Sequence, residues 1–350
     1  MSDRFKVGIV GSGLIAKARH IPAYKAMKRD IEVCAVCDLN EKLARQIASE
    51  CHIPSAYSNV SEMLAKEKLD IVDICVPPQV HAPVAIEAIE KGCHVIMEKP
   101  MALKTSDCDR MIYAAQKHGT ELCVVHNDLF HPPFLKAKEI VAKGDIGDFV
   151  GMRIFLSTPR WDMIDLENHW YHKLPGGVIG ETGPHMAYMT LEFLKSINDA
   201  DIYAQNFLKH PWAQFDEFRI ELEGEKGLSS VALSYTRNCW MATVDIFGTE
   251  ASLHLDLERM LVIRHRIKEL NYMPIACSSL STIWQAASGL MSTAFKVITG
   301  RQKLGTEVVI ERFIESLRRG SRPPVTGEEG RETVRAMEMV VGRLHEKYGE

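Results

Sequence analysis

The 350-residue chain sets 42 Lys and Arg against 46 Asp and Glu, and its 46% apolar and 25% charged residues are those of an ordinary folded protein. A net charge of -4 leaves no electrostatic footprint for nucleic acid or for an anionic membrane surface. No run reaches transmembrane length, the first strand signal at Phe5 leaves no room for a signal peptide, and nine cysteines without framework spacing fit a reducing cytoplasm. Cys34 and Cys37 form a C-x-x-C on a strand-like run, where residues three apart face opposite sides, so a shared metal is not expected there.

Phe5 to Val10 reads as a short buried strand that runs into Gly11-Ser-Gly13-Leu-Ile-Ala16. This is G-x-G-x-x-A between a strand and a helix. Gly11 permits the tight turn, Gly13 admits a pyrophosphate to the backbone, and Ala16 lets the helix pack on the strand. The helix amino terminus supplies N–H groups for the phosphates. A second apolar run, Ile31 to Asp38, ends in an acid where a ribose 2′-hydroxyl would bind, and an acid there repels a 2′-phosphate. NAD is therefore expected over NADP. Strand and helix patterns then alternate through Asp70 to Val76, His81 to Lys91, Cys93 to Met97, Thr105 to His118 and Glu121 to Val125, which predicts right-handed βαβ units and a parallel sheet. Pro77-Pro78 gives the third of these strands a sharp exit toward the same cleft. Leu14, Ile15, Val76, Pro77 and His81 flank it as further candidate cofactor contacts.

The run Val95-Ile-Met-Glu98-Lys99-Pro100 puts a carboxylate and an ammonium at the carboxyl end of a buried strand, the side of an open α/β sheet on which ligands bind. Pro100 disfavours αR at Lys99, so the backbone sets the direction of that lysine. Glu98 and Lys99 are candidate cofactor contacts, and Lys99 is also a candidate for chemistry.

After His126 the texture changes. A helix near Pro133 to Lys143 leads into alternating runs at Phe149–Ser157, Asp201–Phe207, Phe215–Leu222, Leu228–Tyr235, Thr243–Gly248, Ala251–Asp256 and Met260–Arg266. Without intervening helices these predict a mainly antiparallel sheet. Helical patterns at Thr282–Thr299, Glu307–Arg319 and Glu328–Lys347 are expected to cover it. The predicted fold class is α/β: a Rossmann doubly wound parallel sheet over residues 1–126, then an α+β domain with a large open sheet over 127–350, for substrate and oligomerisation.

Several stretches together resemble the Gfo/Idh/MocA oxidoreductases: Gly11 to Ala16, Asp38, Glu98-Lys-Pro100, Gly144-Asp-Ile-Gly147, Trp170 to His185, and Pro323 to Gly330. The resemblance covers nearly the whole chain. It implies an NAD(P)-dependent dehydrogenase acting on CH–OH groups, with Lys99, Glu181 and His185 as the catalytic set on a sugar or polyol. It also places Asn127 near the nicotinamide and substrate. Three positions depart from the family pattern. Glu181 stands for the usual aspartate, Tyr171 follows Trp170 where arginine is common, and Asp128-Leu129 replaces a basic pair, which weakens the case for an anionic substrate.

The chemistry agrees with that implication. Oxidising an alcohol needs a base for the hydroxyl proton while hydride leaves for the nicotinamide. Histidine is the residue type suited to taking that proton, so His185 is the expected base, Glu181 one helical turn earlier is expected to orient it, and Lys99 would polarise the developing alkoxide or carbonyl. His169, Trp170, Tyr171 and His172, with Lys99, Asn127 and His185, are the expected sugar-pocket residues. A metal held by Glu167, His169, His172, Glu181 and His185 is the rival use of this segment, but no fixed ligand spacing can be read and no metal is expected. An NAD-dependent glycosidase with transient substrate oxidation and a non-catalytic NAD-responsive regulator remain as alternatives. The unpaired face of the open sheet and the apolar segment from Met273 to Met291 predict a homodimer or homotetramer.

Overall fold

A computed structural model describes residues 4–267 and 269–349. The chain forms two compact units, one running to Asn127 and resumed over Gly305–Arg335, the other made of Asp128–Leu304 and the residues from Ala336 onward.

In the first unit β1 (Phe5–Val10) enters a helix whose opening is a wide π turn, Ala16–His20, continued by α1 (Ile21–Ala26). There follow β2 (Ile31–Cys37), α2 (Glu41–Cys51), β3 (Ser55–Tyr57), α3 (Val60–Lys66) and β4 (Ile71–Ile74). Next come α4 (His81–Glu90), β5 (His94–Met97), α5 (Thr105–His118) and β6 (Leu122–Val124). The strands pair in parallel in the order β3-β2-β1-β4-β5-β6, with the order reversing beside β1, which is the Rossmann arrangement. Every residue of β4 is buried, as expected where helices cover both faces of a parallel sheet. β3, α2 and α3 add to the elements read from the sequence.

A turn at Asn127–Phe130 leads from the first unit into the second, where α6 (Pro132–Ala142), β7 (Phe149–Ser157) and, after two short turns, α7 (Ile179–Leu194) follow. A meander follows: β8 (Asp199–Gln205), β9 (Glu217–Gly224), β10 (Gly227–Ser234), β11 (Met241–Gly248), β12 (Ser252–Asp256) and β13 (Leu261–His265). The order is β13-β12-β11-β7-β10-β9-β8, and every pair is antiparallel except β10 with β7. One face packs on α6 and α7. The other carries a polar cross-strand ladder in which Arg153 and His254 both reach Asp245.

The helices expected to cover this sheet are deployed differently. α8 (Tyr272–Ile298) lies against β13 and has no buried residue. It starts ten residues before the predicted boundary, because Pro274 falls in the first turn, where a missing N–H costs nothing. α9 (Gly305–Arg319) packs on α1 in the first unit, burying Val309, Ile310, Phe313 and Ile314. α10 (Gly327–Tyr348) begins in the first unit and ends in the second. Residues 305–335 therefore do not belong with the sheet domain as predicted. Helical periodicity marks the apolar face of α9 but not the surface that receives it. No helix among the described residues is long and apolar enough to cross a membrane.

Candidate active site

At the glycine loop, Gly11 has φ +104°, and a Cβ there would press into the Cys75 carbonyl. A Cβ on Gly13 would meet no atom within 4 Å, so this backbone is open to a ligand. Asp38 holds the loop from below: Ser12 N–H donates to Oδ2 at 2.8 Å and Asn40 N–H to Oδ1 at 2.9 Å. A carboxylate has about four acceptor positions, so a ribose hydroxyl can still be bound. The Ser12 hydroxyl is buried with no hydrogen-bond partner. Leu14 is 84% exposed and Leu39 95% exposed, apolar surface beside the loop and beside Asp38. An open backbone at a helix start, an orphaned hydroxyl and two bare leucines fit a dinucleotide, whose phosphates would lie on the loop.

His81 is a correction. Its Nε2 lies 2.7 Å from the Val76 carbonyl and its Nδ1 faces the Met101 carbonyl at 3.3 Å. The ring is fully buried, and burial lowers its pKa below the ordinary histidine value. Instead of touching a cofactor, it ties the exit of β4 to the loop after β5. Val76 and Pro77 stay at the surface of that exit.

The lysine stretch rests on a residue that the sequence did not single out. At the end of the π turn, His20 is fully buried, with Nδ1 2.8 Å from Asp73 Oδ2 and Nε2 2.9 Å from Glu98 Oε1. Asp73 comes from β4, and Glu98 directly follows β5. Burial opposes a charge on His20, but Asp73 raises its pKa well above the ordinary value, so the ring is an imidazolium between two carboxylates. Burial likewise opposes the charge on Glu98, and the bond to His20 together with neighbouring Lys99 holds its pKa down. The second Glu98 oxygen accepts the Lys99 N–H at 3.2 Å, and the Lys99–Pro100 peptide is cis. Donor atoms of His20, Asp73 and Cys75 lie within 4.8 Å of one another. Both imidazole nitrogens are engaged by carboxylates and burial pushes the Cys75 thiol up to about 12, so in this arrangement the ring has no free nitrogen to offer an ion.

In the second unit, α7 carries Glu181 in its first turn and His185 four residues on. The carboxylate on His185 Nδ1 is not that of Glu181. It is Asp128 Oδ2, at 2.7 Å, with the Tyr188 hydroxyl 2.6 Å from the same nitrogen. Glu181 instead acts through its charge on His169, pulling against the burial that lowers the pKa of that ring. Burial works to raise the Asp128 pKa, and it is outweighed by His185, His131 and the Tyr188 hydroxyl, which hold the carboxyl far below its usual range. Glu258 shares this neighbourhood, its own pKa raised by burial and by Asp128. Tyr188 could have been found as the i+3 neighbour of His185 on a predicted helix. Asp128, 57 residues away in sequence, had no such signal.

The aromatic segment is only partly as expected. Tyr171 is buried, with its hydroxyl donating to the Met163 carbonyl at 2.6 Å, and it builds its loop instead of facing a ligand. His172 turns Nε2 to the Leu166 carbonyl at 3.0 Å. His169 stacks on Tyr171 with ring centres 4.0 Å apart, and Trp170 is half-buried beside them. Trp212 closes the same loop through its Nε1, which donates to the Ile164 carbonyl. Lys99 and Asn127 lie in the first unit, the aromatic segment and His185 in the second.

Comparison with known proteins agrees with this chemistry. Residues 5–126 match the oxidoreductase family with an NAD-binding Rossmann fold, and residues 134–254 match the GFO/IDH/MocA C-terminal domain, together about two thirds of the chain. The uncharacterized oxidoreductase YrbE of Bacillus subtilis is 25% identical over 338 residues, 94% of this chain and 91% of its own. The D-glucoside 3-dehydrogenase of Escherichia coli is 30% identical over 159 residues, covering 45% of this chain and 44% of its own. A levoglucosan dehydrogenase solved with NADH superposes with a TM-score of 0.82 over 99% of this chain and 98% of its own; at 19% identity that likeness speaks for the fold. With both family domains matched in order along one chain, this protein belongs to the GFO/IDH/MocA family and is an NAD-binding oxidoreductase.

Proposed function

We propose that the protein moves hydride between NAD and a secondary alcohol or ketone of a sugar, polyol or sugar derivative. The observation that carries this reading is His185, whose Nδ1 is taken by Asp128 and Tyr188 while the ring keeps about a fifth of its side-chain surface exposed. Such a ring has one nitrogen left for a substrate proton. Bound NAD supplies the hydride acceptor. Lys99, backed by Glu98 and His20, stabilises the charge that develops on the reacting oxygen; Asn127 is a further candidate contact, and within the second unit Trp170 and His169 offer substrate surface. The sugar assignment is supported by the glucoside dehydrogenase relative and by the levoglucosan dehydrogenase of like fold. Asp38 supports NAD over NADP.

A panel of sugars, inositols and amino sugars, read by NADH absorbance, tests this. Turnover of at least one member is expected. Release of free sugar from glycosides without net NADH would instead identify the glycosidase, and NAD binding with no turnover across the panel the regulator. Lys99→Ala is expected to keep its NAD affinity and lose turnover, because the ammonium acts on charge that appears mainly during transfer. Undiminished turnover would remove Lys99 from the chemistry.

We further propose a homodimer or homotetramer. α8 exposes Tyr272, Leu280, Trp284 and Phe295 along 27 residues whose only charged side chain is Lys296, an apolar surface that a second copy would cover. A sedimentation mass of one chain at micromolar concentration would overturn this.

A further inference from the structure

We propose that Asp128 is the positioning residue of His185, fixing the imidazole in the tautomer that carries its proton on Nδ1 and so reserving Nε2 for the substrate. The inference deepens the reading of His185 as the base and rests on it for its catalytic consequence. An ionised carboxylate can only accept, so the 2.7 Å contact between Oδ2 and Nδ1 is a hydrogen bond only with the proton on that nitrogen, and the Tyr188 hydroxyl, 2.6 Å from the same Nδ1, then accepts there and gives its own proton to the Asp128 carboxylate. A neutral imidazole with its proton on Nδ1 has its lone pair on Nε2. Tyr188 closes the arrangement. Its oxygen accepts the Asp128 backbone N–H at 3.3 Å, and the phenol is buried, which ties the turn at Asn127–Phe130 to α7. The other carboxylate oxygen of Asp128 faces His131 Nε2 at 3.9 Å, and Glu258 is close enough to feel the charges of both.

In alcohol oxidation the substrate O–H bond breaks toward Nε2, and its electron pair becomes the second carbon–oxygen bond. Bound NAD would supply the acceptor for the electron pair of the carbon–hydrogen bond that breaks. His185 becomes an imidazolium with Asp128 facing the new charge, and it later releases the proton to water. Reduction runs the same steps backward. An asparagine at 128 can present an N–H to Nδ1, which moves the ring proton to Nε2 and blocks the base without altering shape. In the Ser-His-Asp triad the corresponding change lowers turnover by roughly 10⁴.

The test uses the full chain labelled with ¹⁵N-histidine. Long-range ¹H–¹⁵N spectra are recorded across pH, and the His185 signals are assigned from the spectrum of His185→Gln. The neutral ring of the wild type is expected with Nδ1 protonated, and that of Asp128→Asn with Nε2 protonated. Asp128→Asn is expected to lose roughly a hundredfold or more in kcat on the panel alcohol turned over fastest, with KM and NAD affinity little changed, and Asp128→Glu to restore the tautomer and part of the rate. A wild-type ring protonated on Nε2, or an Asp128→Asn ring still protonated on Nδ1, overturns the proposal. If the proton moves and turnover does not fall, Asp128 still positions the ring and it is the reading of His185 as the base that fails. The wild-type spectrum decides the tautomer even if a variant does not fold.

Discussion

The two units each contain a histidine bonded to a carboxylate, and they use it in opposite ways. His20 has both nitrogens engaged, one by Asp73 and one by Glu98, and none of its surface is exposed. His185 is engaged at Nδ1 alone and remains partly open. The same pair of side chains makes a clamp where both ring ends are sealed and a proton acceptor where one end faces out. Burial and the second partner, rather than residue type, separate the two roles.

The strongest way to break this comparison is to remove the sealed ring. His20→Leu leaves Asp73 and Glu98 facing each other without a cation, and such a loss is expected to cost about 3–5 kcal/mol in urea unfolding. A cost below about 1 kcal/mol would show that the clamp is not ionic. The pH dependence has a definite sign. Because the folded pKa of His20 is raised above the value of about 6.5 in an unfolded chain, its stabilisation is complete below that value and fades as pH rises through the folded one. Glu98, with a lowered pKa, contributes above its unfolded value and loses that contribution as pH falls through the folded one. Wild-type unfolding free energy measured from acid to alkali should therefore fall at both ends, and His20→Leu should flatten the alkaline limb.

Removing the open ring should act on rate instead. His185→Ala is expected to lower turnover by roughly a hundredfold at neutral pH, with a smaller loss at high pH where hydroxide can take the proton, and to leave NAD affinity nearly unchanged. Glu181→Gln should cost less than Asp128→Asn, since Glu181 does not hold Nδ1; steady-state rates of the two variants side by side would reverse the assignment if the order were reversed. NAD should be preferred to NADP in kcat/KM by about tenfold or more, because a phosphate set against Asp38 costs at least about 1.4 kcal/mol. The smallest effect is expected at Tyr171→Phe. It should cost about 1–2 kcal/mol of stability through the stranded Met163 carbonyl while KM for substrate stays put, and a raised KM would return Tyr171 to the pocket.

What could be read from sequence followed from local pattern. The glycine loop, Asp38 and the alternation of strand and helix up to β6 depend on residues close in the chain, and they stand where periodicity and turn chemistry put them. Glu98-Lys99-Pro100 was legible for the same reason. The partners that fix each histidine were not, because they are set by register between distant segments. Lys17-Ala-Arg19-His20 reads as a basic helix surface, and only the π turn, with β4 and β5 beside it, turns His20 inward. Asp128 looked like a lost basic residue rather than a gained acid. His81 and Tyr171 show the same limit: as polar tips near a cleft they read as ligand contacts, and their bonds to the Val76 and Met163 carbonyls are set by the fold.

The return of α9 to the first unit also bears on how the chain is made. The ribosome finishes β6 about 180 residues before it delivers the helix that covers α1. At roughly 5–20 residues per second, the nascent α1 spends roughly 10–35 s without the side chains of Val309, Ile310, Phe313 and Ile314 against it. The dinucleotide-binding unit thus reaches its full stability only after α9 has emerged. Chains stalled shortly after residue 130 should be cut by protease far faster than chains stalled after α9, and equal resistance would mean that the six strands hold without it.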